Sequence, residues 1–237
     1  IEKRYIRKDG HTIWGRLTVS FVRNEKGEPE FAIGMVEDIT ARKTAEERLR
    51  HDALHDPLTT LPNRTLLLDR IQQAILQSQR DPSRRFALLL FDLDDFKNVN
   101  DSFGHMTGDS LLIECAQRLQ RRVRPQDTVA RVGGDEFVLL VETLSESHAA
   151  ELAARQLEMI AMPFSVGRRT IHMTASAGVV TSDSAERTPE EFLRDADIAM
   201  YRAKRAGKNV VATFDPEMRE AIVQRLAMEN DFRQGMR

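Results

Sequence analysis

Two acidic clusters stand where strands would end. The apolar run Phe86–Phe91 leads straight into Asp92-Leu93-Asp94-Asp95-Phe96-Lys97, so three carboxylates crowd one end of a strand that reads as buried. Strand residues alternate sides, which puts Asp92 and Asp94 on one side and Leu93 on the other. Carboxylates this close repel, and a bound cation removes the repulsion. Oxygen-only ligands favour Mg²⁺ or Ca²⁺ over zinc. Taken alone, the run reads equally well as an exposed acidic loop. The second cluster, Gly133-Gly134-Asp135-Glu136-Phe137, interrupts two apolar strands between Val129 and Val141. Paired glycines permit a tight turn with positive φ and let a bulky ligand approach the backbone. With this hairpin beside the first strand, Asp92 and Asp135 can share metal ions, and two carboxylate-held Mg²⁺ ions suit nucleotidyl transfer.

The elements needed to hold these clusters are legible around them. Asn63 precedes a helix with Leu67, Ile71 and Ile75 on one face, and a helix is predicted near Thr107 to Val123. Ser145 opens a helix with Leu152, Gln156 and Ile160 in step. Ile171, Met173, Ala175, Ala177 and Val179 alternate as one strand. Thr188-Pro189-Glu190-Glu191 spells a capping box with proline at the first helical position, opening a helix that runs to Gly207. Asn209–Phe214 is the last strand. Helices mixed with strands and a hairpin give an α/β (α+β) sandwich around an antiparallel or mixed sheet.

The flanks differ in character. Residues 1–40 read as strands, with turns at Asp9-Gly10 and Asn24–Glu28; Leu17, Val19, Phe21 and Phe31, Ile33, Met35 alternate to give one apolar face. Residues 41–56 read as a linker helix capped by Thr40, with a narrow stripe of Ala45, Leu49 and Ala53 suited to pairing with a second copy. Residues 57–214 carry the alternating pattern, and residues 215–237 a polar connector helix. The chain opens in mid-pattern at Ile1, as a piece of a longer protein would.

Composition narrows the function classes. With 35 Lys and Arg against 37 Asp and Glu, net charge −2, no broad basic field invites nucleic acid. The single cysteine, Cys115, falls in the helical pattern Leu112, Cys115, Leu119, Val123; this excludes a disulfide framework and fits a reducing, cytoplasmic compartment. No apolar run is long enough to cross a membrane and no signal peptide is present, although the parent protein can carry membrane segments elsewhere.

The ordered motifs resemble the GGDEF family of diguanylate cyclases. Besides Gly133–Phe137 they are Asp56-Pro57-Leu58-Thr59, Leu61-Pro62-Asn63-Arg64, Asp92-x-Asp94-x-Phe96-Lys97, Asn100-Asp101, Gly104-His105, Gly108-Asp109, Ala199-Met200-Tyr201 and Ala203-Lys204, spanning about residues 52–214. The resemblance implies a palm-like domain, as in nucleotidyl cyclases, with a central, mostly antiparallel sheet flanked by helices. It also implies condensation of two GTP into cyclic di-GMP and two pyrophosphates, with Mg²⁺, or Mn²⁺ in its place, across a homodimer. By similarity, Asp92, Asp135, Glu136 and the Leu93 carbonyl would hold metal. Gly133 and Gly134 would pass close to the phosphates. Asn100 and Asp109 would read the guanine edge, a carboxylate accepting from its N1 and N2 donors. Asp109 can also be read as a cap of the helix that follows. Lys97, Lys204 and Lys208 would bind phosphates, although Lys204 and Lys208 also suit a helix C-terminus simply as cations. His105 reads as structural.

Arg124-Pro125-Gln126-Asp127 resembles the family's inhibitory site for cyclic di-GMP, with Arg155 as a contributor from the next helix. Residues 1–40 resemble the closing strands of a PAS sensor domain, through Arg7–Gly10, Trp14 and Gly34–Thr40. Glu229–Arg233 resembles the approach to an EAL phosphodiesterase domain. Two other readings compete with the cyclase: a catalytically silent GTP-binding module that regulates a neighbouring phosphodiesterase, and a dimerising relay with a vestigial site.

Overall fold

A computed structural model describes residues 1–143, 145–167, 169–182 and 187–219. The expected connector is described only as far as residue 219, and Glu229–Arg233 lies outside the described residues. The chain divides into two compact units, Ile1–Ala53 and a second that begins at Leu54.

The first unit is a three-stranded antiparallel sheet, β1 (Glu2–Ile6), β2 (Thr12–Arg23) and β3 (Pro29–Asp38), followed by helix α1 (Thr40–Leu54). Both expected turns form. At the second, the Asn24 side chain accepts the amides of Lys26 and Glu28, both at 3.0 Å. The expected single apolar face does not form. Leu17 pairs with Val36 and Thr18 with Met35, Ser20 with Ile33, Val22 with Phe31. Directly paired residues share a face, so Leu17, Val19 and Phe21 lie on one side of the sheet and Phe31, Ile33 and Met35 on the other. The turn length, not the alternation, sets this register. Thr40 is not the cap of α1: its hydroxyl accepts from the Trp14 amide, and Asp38 takes the Thr40 amide instead. Leu49, Ala45 and Ala53 of α1 are exposed.

The second unit carries a five-stranded sheet. Helix α2 (Arg64–Arg80) starts where Asn63 caps it, accepting from the Leu66 amide at 3.1 Å, and buries Leu67, Ile71 and Ile75 as its periodicity requires. β4 (Arg85–Leu93) is the central strand; helices α3 (Phe96–Phe103) and α4 (His105–Gln120) follow it. β5 (Thr128–Gly133) and β6 (Glu136–Thr143) form the glycine hairpin, and α5 (Glu146–Ala161) is capped by Ser145. A small hairpin of β7 (Phe164–Val166) and β8 (Arg169–Ile171) leads to β9 (Ala175–Thr181), α6 (Pro189–Arg205) and β10 (Val211–Thr213). The capping box at Thr188 and Glu191 forms as the sequence predicts.

The strand order is β10-β9-β4-β6-β5; β4 pairs antiparallel with both β6 and β9, β5 pairs antiparallel with β6, and β10 runs parallel to β9. Helices α4 and α5 cover one face of this sheet and α2 and α6 the other, each over its own hydrophobic cluster. Phe91 and Phe137 are paired across β4 and β6 and fully buried; each such side chain contributes about 2–3 kcal/mol. This packing fixes the strand ends that carry the acids.

One element was not foreseen and one expectation fails here. The helix expected near Thr107 to Val123 forms as α4, His105–Gln120, while the short α3 before it was not expected; Gly104, at φ +82°, ends α3 and starts α4. The strand expected from Ile171 to Val179 breaks at His172–Thr174, where Thr174 leaves the ladder to bond Asp94.

Candidate active site

Asp92 and Glu136 are directly paired across β4 and β6, so both side chains face the side of the sheet covered by α6. α6 brings Lys204 there, its Nζ 2.7 Å from Asp92 Oδ1. This ion pair lacks hydrogen-bond alignment, and Oδ1 is shut off from any other partner. Burial pushes the Asp92 carboxyl above the ordinary range, Lys204 opposes the shift, and the charges of Asp135 and Asp94 add to it. Burial likewise raises Glu136, reinforced by Asp92, Asp197 and Asp135 in turn. One lysine thus faces several mutually repelling acids.

The hairpin turn follows from its glycines. Gly134 takes φ +47°, and an added Cβ at Gly133 or Gly134 would meet nothing within 4 Å. Open space beside a bare backbone is what close approach of a phosphate group requires. A bulge between Arg131 and Gly133 re-aims the turn. The Leu93 amide bonds the Asp135 carbonyl at 3.3 Å, tying the end of β4 to it.

Arg131 holds the turn from behind, a role sequence reasoning missed. Its guanidinium donates to both Asp56 oxygens, at 2.9 and 3.0 Å, and to the Gly134 carbonyl at 3.0 and 2.7 Å. Burial would raise the Asp56 pKa, but the Thr59 hydroxyl and amide, with Arg131, hold it lowered. The signal was present: Asp56 and Thr59 belong to a quoted motif, and Arg131 stands three residues before Gly134.

Asn100 and Asp109 come together at the junction of α3 and α4. The Asn100 side chain lies so near Gly108 that a Cβ there would stand 1.9 Å from Oδ1; glycine is needed for the close approach. Asn100 Oδ1 is buried and without a partner, while Asp109 is exposed on the next residue. Asp109 does not cap its helix, since α4 begins four residues earlier at His105. Lys97 is exposed on α3. Lys208 pairs with Asp95 at 2.7 Å, and this carboxylate raises the lysine's pKa.

Arg124 and Asp127 form a closed turn before β5, the Arg124 amide donating to Asp127 Oδ2 at 2.9 Å. Arg155 is exposed on α5 and makes no ion pair with Asp127 among the described residues. Among these residues no three His, Cys, Asp or Glu side chains already converge as a complete metal-ligand set. The donors nonetheless fit a hard divalent cation: they are oxygens only, they repel one another, and one oxygen of Asp92 is buried with an ammonium alone beside it.

A model of the diguanylate cyclase GGDEF domain matches residues 53–210. The chain belongs to this family. Its GGDEF domain has the palm-like fold expected of it. The GGDEF domain of YfiN from Pseudomonas aeruginosa superposes with a TM-score of 0.68 at 32% identity, covering 71% of this chain and 98% of that one. The bifunctional diguanylate cyclase/cyclic di-GMP phosphodiesterase MucR of Pseudomonas aeruginosa is 45% identical over 197 residues, 83% of this chain and 29% of MucR. The cyclic di-GMP phosphodiesterase PdeR of Escherichia coli is 34% identical over 217 residues, 91% of this chain and 32% of PdeR. The chain therefore spans under a third of the length of these curated relatives. Among the described residues, no helix is long and apolar enough to cross a membrane.

Proposed function

We propose that this chain condenses two GTP molecules into cyclic di-GMP and two pyrophosphates, as a homodimer with Mg²⁺. The observation that carries the reading is the pairing of Asp92 with Glu136 beside the open Gly133-Gly134 turn, with Lys204 as the ammonium facing them. Asp92, the Leu93 carbonyl, Asp135 and Glu136 would hold the divalent cation, which supplies charge neutralisation and Lewis-acid polarisation of the phosphates. Lys97, Lys204 and Lys208 bind the triphosphate as point charges. Asn100 and Asp109 receive the guanine, and the buried, unpartnered Asn100 oxygen suits a base N–H donor. Each 3′-oxygen attacks the α-phosphorus of the nucleotide on the partner subunit as pyrophosphate leaves, and the hydroxyl proton passes to an acid of the hairpin. Facing two half-sites turns an encounter of charged nucleotides into an oriented one.

Incubation with GTP and Mg²⁺, read by chromatography with Asp135→Ala as control, tests this. Cyclic di-GMP from the unmodified chain alone supports it; bound but unconverted GTP, even at high protein concentration, sinks it.

Two further parts belong to the same reading. The closed Arg124–Asp127 turn, with Arg155, binds the product and inhibits the enzyme, so Arg124→Ala relieves inhibition by added cyclic di-GMP. The strands of the first unit are PAS-type, α1 is the signalling helix behind them, and an EAL domain follows in the parent protein. A second function has one observation in its favour. The similarity to PdeR extends over 91% of this chain, and PdeR is a phosphodiesterase by name. On that reading the GGDEF domain binds GTP and regulates a neighbour, without turnover.

A further inference from the structure

Asp94 stands two residues beyond Asp92 and is equally buried, at 6% exposed, yet its surroundings are opposite. Its Oδ1 accepts the Ser176 hydroxyl at 2.8 Å, and its Oδ2 accepts the Thr174 hydroxyl at 2.7 Å and the Asn209 amide at 3.2 Å. Its own amide donates to the Thr174 carbonyl at 2.8 Å. The carboxylate is spent on protein donors, so it joins the end of β4 to β9 and to the turn between α6 and β10.

That turn carries Lys208. Lys208 and Asn209 both take positive φ, +64° and +50°, a conformation that residues other than glycine keep only where their surroundings enforce it. The Lys208 amide donates to the Ala203 carbonyl at 3.3 Å, closing the end of α6, and two further contacts come from adjacent residues. Asp94 holds the Asn209 amide, and Asp95, itself at φ +59°, holds the Lys208 ammonium. A carboxylate with three donors is a strong fixed point, and the hydrogen bond that the Asn209 amide donates to it restrains the backbone next to Lys208.

We infer that Asp94 is a positioning residue for nucleotide binding: its carboxylate fixes the Lys208-Asn209 turn, and so sets where Lys208 meets the triphosphate. The inference rests on the proposed function, in which Lys208 binds phosphate. It concerns a residue whose carboxylate is already taken up by donors of the protein itself.

The test is a double-mutant cycle on Kd for GTP and for GMP, which lacks the β- and γ-phosphates, with Mg²⁺ present. Asp94→Ala should weaken GTP about tenfold, the size of one charged contact, and leave GMP within about twofold. Asp94→Ala should add nothing to Lys208→Ala, because the two changes remove the same interaction. Thr174→Val and Ser176→Ala each withdraw one donor and should move GTP affinity the same way by less. If Asp94→Ala fails to fold, these two variants carry the cycle in its place. Equal weakening of GTP and GMP, or losses that add, would overturn the positioning role while leaving the binding site intact. Failure of the unmodified chain to bind GTP would instead overturn the proposed function, and this inference with it.

Discussion

Helix α6 serves two charged clusters that solve opposite problems. Near its start, Asp195 is fully buried and surrounded by arginines: Arg219 donates to both oxygens at 2.7 and 2.8 Å, with Arg187 and Arg194 at 3.5 and 3.6 Å. Arg187 and Arg219 also lie against the Phe214 ring, and Arg187 against Phe192 as well. Near its end, Lys204 meets Asp92, with the Asp135 and Glu136 charges close by. The first cluster has more donors than its carboxylate needs. The second has too few for its acids. A saturated cluster serves the fold, whereas the unsatisfied one is where, on the proposed function, a cation and a nucleotide would bind.

The contrast can be broken by exchanging the roles. Asp195→Ala should cost about 1–3 kcal/mol in urea unfolding, because it removes the acceptor of the paired Arg219 hydrogen bonds and the carboxylate beside the largely buried Arg187, and it should leave GTP affinity nearly unchanged. Asp135→Ala should do the reverse: cyclic di-GMP formation falls at least about a hundredfold, or about 2.7 kcal/mol of barrier, with little loss of stability.

Smaller effects sharpen it. The folded-state pKa values of Asp92 and Glu136 are raised, so these groups favour the fold fully below the ordinary carboxylate range and lose that contribution as pH rises through the raised range. Metal-free protein should therefore lose stability over that window. Asp135→Asn, which removes one of the repelling charges, should raise its neutral-pH melting midpoint by about 1–3 °C. Added Mg²⁺ should stabilise the unmodified protein more at neutral than at acid pH, since it competes with protons; an Mg²⁺ shift that shrinks as pH rises would contradict this. Smallest of all, Arg84→Ala removes an exposed pair with Glu142 and should shift stability by less than about 0.5 kcal/mol, which tests whether ion pairing alone, without burial, matters.

What the sequence revealed followed from local chemistry. Asn63, Ser145 and the Thr188–Glu191 box announce their helices because each cap satisfies amides within three residues. The acid-bearing strand end and the glycine turn were legible for the same reason. The short helix α3 was not, since eight residues ending in glycine give too little periodicity to recognise. Nor were the donors of Asp94, which lie 80, 82 and 115 residues away, or the Arg131 clamp on Asp56, which spans 75. The two faces of the β2–β3 pair were misassigned because alternation gives a strand two sides without saying which side its neighbour shares.

Gly104 closes α3 and opens α4 with one residue, and the two proposed base-reading groups, Asn100 and Asp109, lie on either side of it. A joint of one residue leaves little slack between the two helices, and the seat of Asn100 against Gly108 closes it like a clasp. On the proposed function, a side chain at position 108 would therefore part the two base-reading groups without touching either of them.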